Sequence, residues 1–185
     1  MKALSSITIY EPGIVLFDPI NLKRYLKSVD FHSKNVFDFF IANEVIGRNA
    51  VGKGIVFPLY EIPERDYSIF IETPNNNPNQ AGVARFTYRN LPLEITSGLL
   101  ITADLSALFD WDEDFFTNYI EKYDSKLDNS DYLEVSPGIY QMGITGYSDL
   151  KKTPTSYGYG IQLTPTDSHK LLIKKSIDEF NFSIE

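Results

Sequence analysis

The sequence predicts a mostly β protein, with α+β as the alternative: an antiparallel β-sandwich carrying two or three short helices at an edge. Three observations carry this. Short alternating or wholly apolar runs recur along the chain and are punctuated by glycine and proline. The aromatics are almost all Tyr (12) and Phe (13), residues that favour strands. Helical spacing of apolar residues is confined to three short stretches. At 185 residues and 43% hydrophobic, the chain is expected to fold as a single globular domain over 1–185 with a sizeable core.

In chain order, Ile7-Thr8-Ile9-Tyr10 alternates, Pro12-Gly13 turns the chain, and Ile14-Val15-Leu16-Phe17 reads as a buried strand. Asp18-Pro19 has the form of an N-cap followed by proline at the first helical position, with Leu22, Tyr25 and Leu26 as the apolar stripe. Ser33 is expected to cap a second helix through Val36, Phe37, Phe40, Ile41 and Val45, closed by Gly47, with the consecutive Phe39-Phe40-Ile41 leaving a strand as the alternative. Ile55-Val56-Phe57 is a strand broken by Pro58, and Tyr67 to Ile71 is another. Pro74 to Gly82 has turn composition and links to a strand at Ala84 to Tyr88. Leu91 to Ile95 and Leu99 to Leu105 continue the strand pattern.

Asp112 is expected to cap a third helix, with Glu113 and Asp114 complementing the positive end of its dipole. Phe115, Phe116, Tyr119, Ile120 and Tyr123 give that helix one buried face, and Trp111 should help pack it onto a sheet. Tyr132 to Val135 and Ile139 to Ile144 flank a Pro137-Gly138 corner. Gly146 to Gly160 reads as a long connection, Ile161 to Leu163 as a strand, and Leu171 to Ile177 with Phe180 and Phe182 as a last strand or two.

Charge is the most uneven feature. Between Asp104 and Asp131 nine acids face two lysines, a net of −7 in a chain whose formal charge is −8. A nucleic-acid partner needs clustered Lys and Arg and is excluded on this pattern. A basic protein surface is the expected partner, met by Asp110, Asp112, Glu113, Asp114, Glu121 and Asp124, because opposing charge speeds and orients encounter. The same acids would also suit a capped helix with a solvated outer face. A second reading takes Tyr147, Tyr157 and Tyr159 as a stacking platform for a carbohydrate or other small ligand. A third is a hydrolase with dispersed carboxylates, although no pair of acids stands out. Asn75 to Asn79 is a possible contact loop.

Other chemistries find little support. Cysteine is absent, which excludes disulfides and thiolate zinc sites. Asp110, Asp112 and Asp114 alternate as in a calcium loop, but its sixth position is Phe115 where glycine is required, so no metal is expected. Gly158-Tyr159-Gly160 lacks the third glycine and the following helix of a dinucleotide fingerprint, and no cofactor is expected. There is no Gly-x-Ser-x-Gly elbow, and His32 and His169 lie in polar surroundings. No stretch is long and apolar enough for a membrane span, so a cytoplasmic protein is expected.

The order Leu99 to Leu105, then Tyr132-Leu133-Glu134-Val135-Ser136-Pro137-Gly138-Ile139-Tyr140-Gln141-Met142-Gly143-Ile144, resembles the later strands of small bacterial β-sandwich inhibitors. These include competence-nuclease inhibitors and some toxin-immunity proteins, in which a Pro/Lys-Gly-x-Tyr corner opens a strand. The resemblance implies a non-catalytic bacterial protein that masks a partner's active surface, and it assigns no binding residue. The leading expectation is therefore an immunity-type inhibitor whose acidic helix face covers a basic partner.

Overall fold

Residues Gly13–Phe17 are buried at all five positions, which requires that both faces of their sheet be covered. The computed structural model, which describes residues 1–73, 82–167 and 176–185, meets that requirement with three layers. Its strands are β1 (Leu4–Thr8), β2 (Gly13–Phe17), β3 (Val56–Tyr60), β4 (Asp66–Ile71), β5 (Val83–Ile95), β6 (Leu99–Asp104), β7 (Ser130–Glu134), β8 (Gly138–Ser148) and β9 (Gly158–Pro165). Its helices are α1 (Pro19–Ser28), α2 (Val36–Ala42), α3 (Glu44–Gly52), α4 (Ser106–Phe109) and α5 (Glu113–Thr117). One sheet runs β1-β4-β9-β8-β5 and the other β3-β2-β6-β7. The protein is thus mostly β, with a few short helices, as its strand pattern predicts.

Alternation along β2 explains the layering. Ile14 and Leu16 point between the sheets, where they join Leu100 and Leu133 against Ile69, Leu91, Ile144 and Ile161. Val15 and Phe17 point the other way, with Ile101 and Ala103, and are covered by Leu22, Leu26, Trp111 and Phe116. The helices therefore lie over the outer face of the four-stranded sheet rather than at an edge. Along one side the sheets meet: the Glu134 amide donates to Lys2 O (2.8 Å) and the Thr8 amide to Asp128 O (3.0 Å). The sandwich is also not wholly antiparallel, because β4 and β9 pair in parallel.

Several boundaries differ from the sequence reading for identifiable reasons. Pro58 does not break its strand; it lies within β3 opposite Val15, and β3 is an edge strand, where a missing amide is tolerated. Ala84 to Tyr88 and Leu91 to Ile95 are one strand, bent where the register shifts around Asn90, whose φ is 61°. The second helix is capped by the Asn35 side chain, not Ser33, and is replaced after Asn43 by α3. Gly47 lies inside α3, where a Cβ would come within 2.8 Å of Phe40 O; its hydrogen allows the two helices to approach closely.

The third helix stops at Thr117 because Thr117 Oγ1 and Asn118 Nδ2 donate to the carbonyls of Glu113 and Asp114, which competes with helix continuation. Tyr147 and Tyr159 belong to strands, since β8 runs to Ser148 and β9 begins at Gly158. A 3₁₀ turn at Ile177–Glu179 is closed by a reciprocal Ser176/Glu179 cap, and Phe182 and Ile184 end up buried between the sheets. Residues 74–81 of the expected loop at 74–82, the contact loop at 75–79, His169 and most of the strand expected over 171–177 lie outside the described residues. Among those described, no helix is long and apolar enough to cross a membrane.

Candidate functional site

The acidic segment is fastened to the molecule by Trp111. Its amide donates to Lys34 O (2.8 Å), and its indole stacks on Phe116 (5.3 Å between centroids, 8° between planes) and meets Phe17 edge-on at 5.7 Å. One residue later the Asp112 carboxylate accepts from the Phe115 amide at 2.9 Å and caps α5. The capping expected from sequence is present, although the helix it starts is short.

The nine acids of the segment divide into three groups. Two point inward. Asp104 is buried and accepts from the amides of Tyr10 (2.5 Å), Glu11 (2.9 Å) and Ser106 (2.6 Å), tying the β1–β2 turn to the end of β6. Asp131 is buried against Lys2 Nζ (2.6 Å) and the Tyr123 hydroxyl (2.8 Å). Three exposed acids have gained cations: Asp110 with Lys34 (3.6 Å), Glu113 with Lys23 (2.9 Å) and Asp114 with Lys122. The Lys122 ammonium, by hydrogen bond and charge, holds the Asp114 carboxyl below its ordinary range.

Lys2, Lys23 and Lys34 come from outside the 104–131 segment, so its −7 is not the charge of one uninterrupted surface. The expectation of a single patch on the Trp-bearing helix is corrected accordingly.

The third group, Asp112, Glu121, Asp124 and Asp128, is exposed. The last three are interleaved with apolar side chains that also face solvent, Ile120 (50% exposed) and Leu127 (70%). This stretch continues onto the β1–β2 turn. There Tyr10 is 59% exposed and its hydroxyl donates to Asp128 Oδ2 at 3.0 Å. That hydrogen bond, followed by partial desolvation and then the charges of Asp128, Asp66 and Asp104, raises the Tyr10 pKa. Asp66 is held beside it by the Thr8 hydroxyl (2.6 Å). The structure thus brings together Asp128, Asp66 and Tyr10, none of which was among the six candidate residues; Asp128 was only counted within the acidic segment. The signal was available in part: with Ile7 and Ile9 turned inward, alternation leaves Tyr10 facing outward.

The three tyrosines of the alternative reading do not share a face. Tyr147 is buried, stacked on Phe70 (5.9 Å), and its hydroxyl donates to Glu72 at 2.6 Å. Tyr159 is buried in the inter-sheet core beside Tyr67, and its hydroxyl donates to Phe182 O at 2.9 Å. Tyr157 is half-buried beneath the Arg65 guanidinium, 4.4 Å from its ring centroid. These rings form no open stacking platform. Two of the three alternating aspartates suggestive of a calcium loop, Asp110 and Asp114, are occupied by lysines. Among the described residues no group of three or more metal-ligating side chains is assembled. His32 is exposed beside Asp30.

No family model matches the chain, and no curated protein matches it in sequence. Among solved structures, it is similar to the crystal structure of ComJ, inhibitor of the DNA degrading activity of NucA, from Bacillus subtilis. The two are 10% identical, the similarity covers 88% of this chain and 95% of that one, and the TM-score is 0.45. A similarity of that size leaves the functional reading to this chain's own surface.

Proposed function

We propose that this protein is a non-catalytic binding protein of the inhibitor or immunity type, which covers a basic surface of another protein with its acidic face. The observation that supports this most directly is the exposed set Glu121, Asp124 and Asp128, interleaved with Ile120 and Leu127 and continued by Tyr10 and Asp66. Asp112 is a further exposed carboxylate at the start of α5, while Asp110, Glu113 and Asp114 contribute as carboxylates already paired with lysine. A basic protein would exchange those lysines for its own cations or bind around them. Carboxylates accelerate and orient encounter, and the exposed Tyr10 ring supplies contact area with a polar tip.

The test is association kinetics with the protein captured from the native host, measured at several salt concentrations. Reversing Glu121, Asp124 and Asp128 to lysine should slow association by about tenfold or more and flatten its salt dependence, with dissociation changed much less. An association rate indifferent both to salt and to these reversals would overturn the reading.

A further inference from the structure

α2 is the most apolar of the described helices, Val36-Phe37-Asp38-Phe39-Phe40-Ile41-Ala42, yet Val36 is its one buried residue. Ile41 is 68% exposed, and Val45, in the first turn of α3, is 74% exposed. A soluble domain has little reason to leave so much apolar surface together unless something covers it. The close approach of α2 and α3 at Gly47 shapes that surface into a concavity. A groove of about 560 Å³ opens there, walled by Phe37, Phe40, Val51, Val56, Leu108 and Ile177.

The charge around the groove restricts what could occupy it. Among the described lining residues Arg48 is the cation, and Glu44 already pairs with it at 2.5 Å. Asp178 adds a further carboxylate to the lining. Beside the groove, Tyr60 meets Phe37 edge-on, and the next residue, Glu61, is exposed. A second copy of the chain is disfavoured, because each molecule carries a formal charge of −8. The groove also adjoins one end of the acidic segment, at Asp110. α4 places Leu108 in the groove wall and Phe109 against Phe37 (5.2 Å), and the next residue is Asp110.

We infer that this groove seats an apolar side chain from a cationic segment of the partner, as the anchor of the same interface. The inference rests on the docking function proposed above and names the part of the interface that supplies affinity. Exposed charges govern encounter rate and orientation, whereas affinity is concentrated where a large side chain is fully desolvated in a pocket. On the described surface the groove is such a pocket, with carboxylates around it to receive flanking Lys or Arg.

Three synthetic helical peptides of equal length test this by amide NMR of the full chain at neutral pH. One carries leucine at i, i+3, i+4 and i+7 on a lysine background, the second replaces leucine by serine, and the third replaces lysine by glutamate. The lysine–leucine peptide should shift Phe40, Gly47, Arg48, Val51 and Leu108 saturably. Ile41→Ser or Ile177→Ser should weaken it by about tenfold. Neither variant should alter the weaker, salt-sensitive shifts over 110–128 caused by the lysine–serine peptide.

Shifts confined to 110–128 with both lysine peptides would overturn the groove assignment and leave the acidic-face reading standing. No shift with either would overturn both. Equal groove binding by the glutamate–leucine peptide would overturn the cationic occupant. Groove shifts that follow the protein's own concentration without peptide would assign the groove to a second copy. Groove shifts from an uncharged alkyl glycoside as large as those from the lysine–leucine peptide would make it a small-molecule site; each of these outcomes overturns the inference.

Discussion

Asp18 has no exposed surface and accepts five hydrogen bonds: the amides of Ile20, Asn21, Thr96 and Ser97, and the Ser97 hydroxyl. It therefore caps α1 and at the same time holds the β5–β6 turn. Asp18→Ala would remove the shared acceptor of four amides and a hydroxyl, the Asn21 amide among them buried, so a loss of about 3 kcal/mol is expected in urea unfolding, compared with the roughly 1 kcal/mol of an ordinary cap. Half of this role was legible, because Asp18-Pro19 is a local signal. The other half comes from residues 78 and 79 positions away and has no local trace.

Asp114 provides a second test at this scale. Its folded pKa lies below the ordinary 3.8, so its pairing with Lys122 stabilises the fold above that value and is lost as pH falls through the lower folded one. The pair is exposed, so the effect on stability is small. Carboxyl NMR should find Asp114 titrating below 3.8, and Lys122→Met should bring it back toward that value.

At the scale of elements, α5 and the residues before it depend on aromatic packing more than on helix length. Trp111, Phe116 and Tyr119 stack in series, with 8° between the first two planes and 2° between the second two. Trp111→Ala should cost about 3–5 kcal/mol and release the segment carrying Asp110 to Asp114. A loss below about 1 kcal/mol would show that the stack is not part of the core. Of the residues whose spacing marked one buried face, Phe115, Phe116, Tyr119 and Tyr123 pack against the core, but Ile120 does not: it lies beyond the helix end and is 50% exposed. The spacing did not mark the helix end, which is decided by the Thr117 and Asn118 side chains competing for main-chain carbonyls. Pro58 misled in the same way: whether a proline interrupts a strand depends on whether the strand has a neighbour on that side, a property of the sheet.

Across the whole molecule, the tyrosines report how the layers are assembled. Burial raises Tyr67 to about 12, and burial with the hydrogen bond to Asp131 raises Tyr123 to about 12. Burial pushes Tyr119 and Tyr159 upward as well. A folded pKa above the unfolded value near 10.0 means that these neutral phenols stabilise the fold fully below pH 10. That contribution is lost as pH rises toward about 12. Phenolate absorbance should therefore keep rising above pH 10, with a late step toward about 12 that coincides with unfolding. All twelve tyrosines titrating together near 10 with the fold intact would contradict the layering described.

The sequence by itself determined the strand pattern, the turn at Pro12-Gly13, the caps at Asp18 and Asp112, and the concentration of acids between 104 and 131. Each of these follows from interactions between residues close in the chain or from simple alternation. Only the tertiary structure decided that Asp104 and Asp131 turn inward, that Lys23 and Lys34 arrive to pair with Glu113 and Asp110, that Tyr147 and Tyr159 are buried apart, and that Tyr10 and Asp66 join the acidic face. Those outcomes depend on which strands become neighbours and in what register. A shift of one residue in β1 would turn Ile7 outward and Ser6 inward, without altering any local signal in the chain.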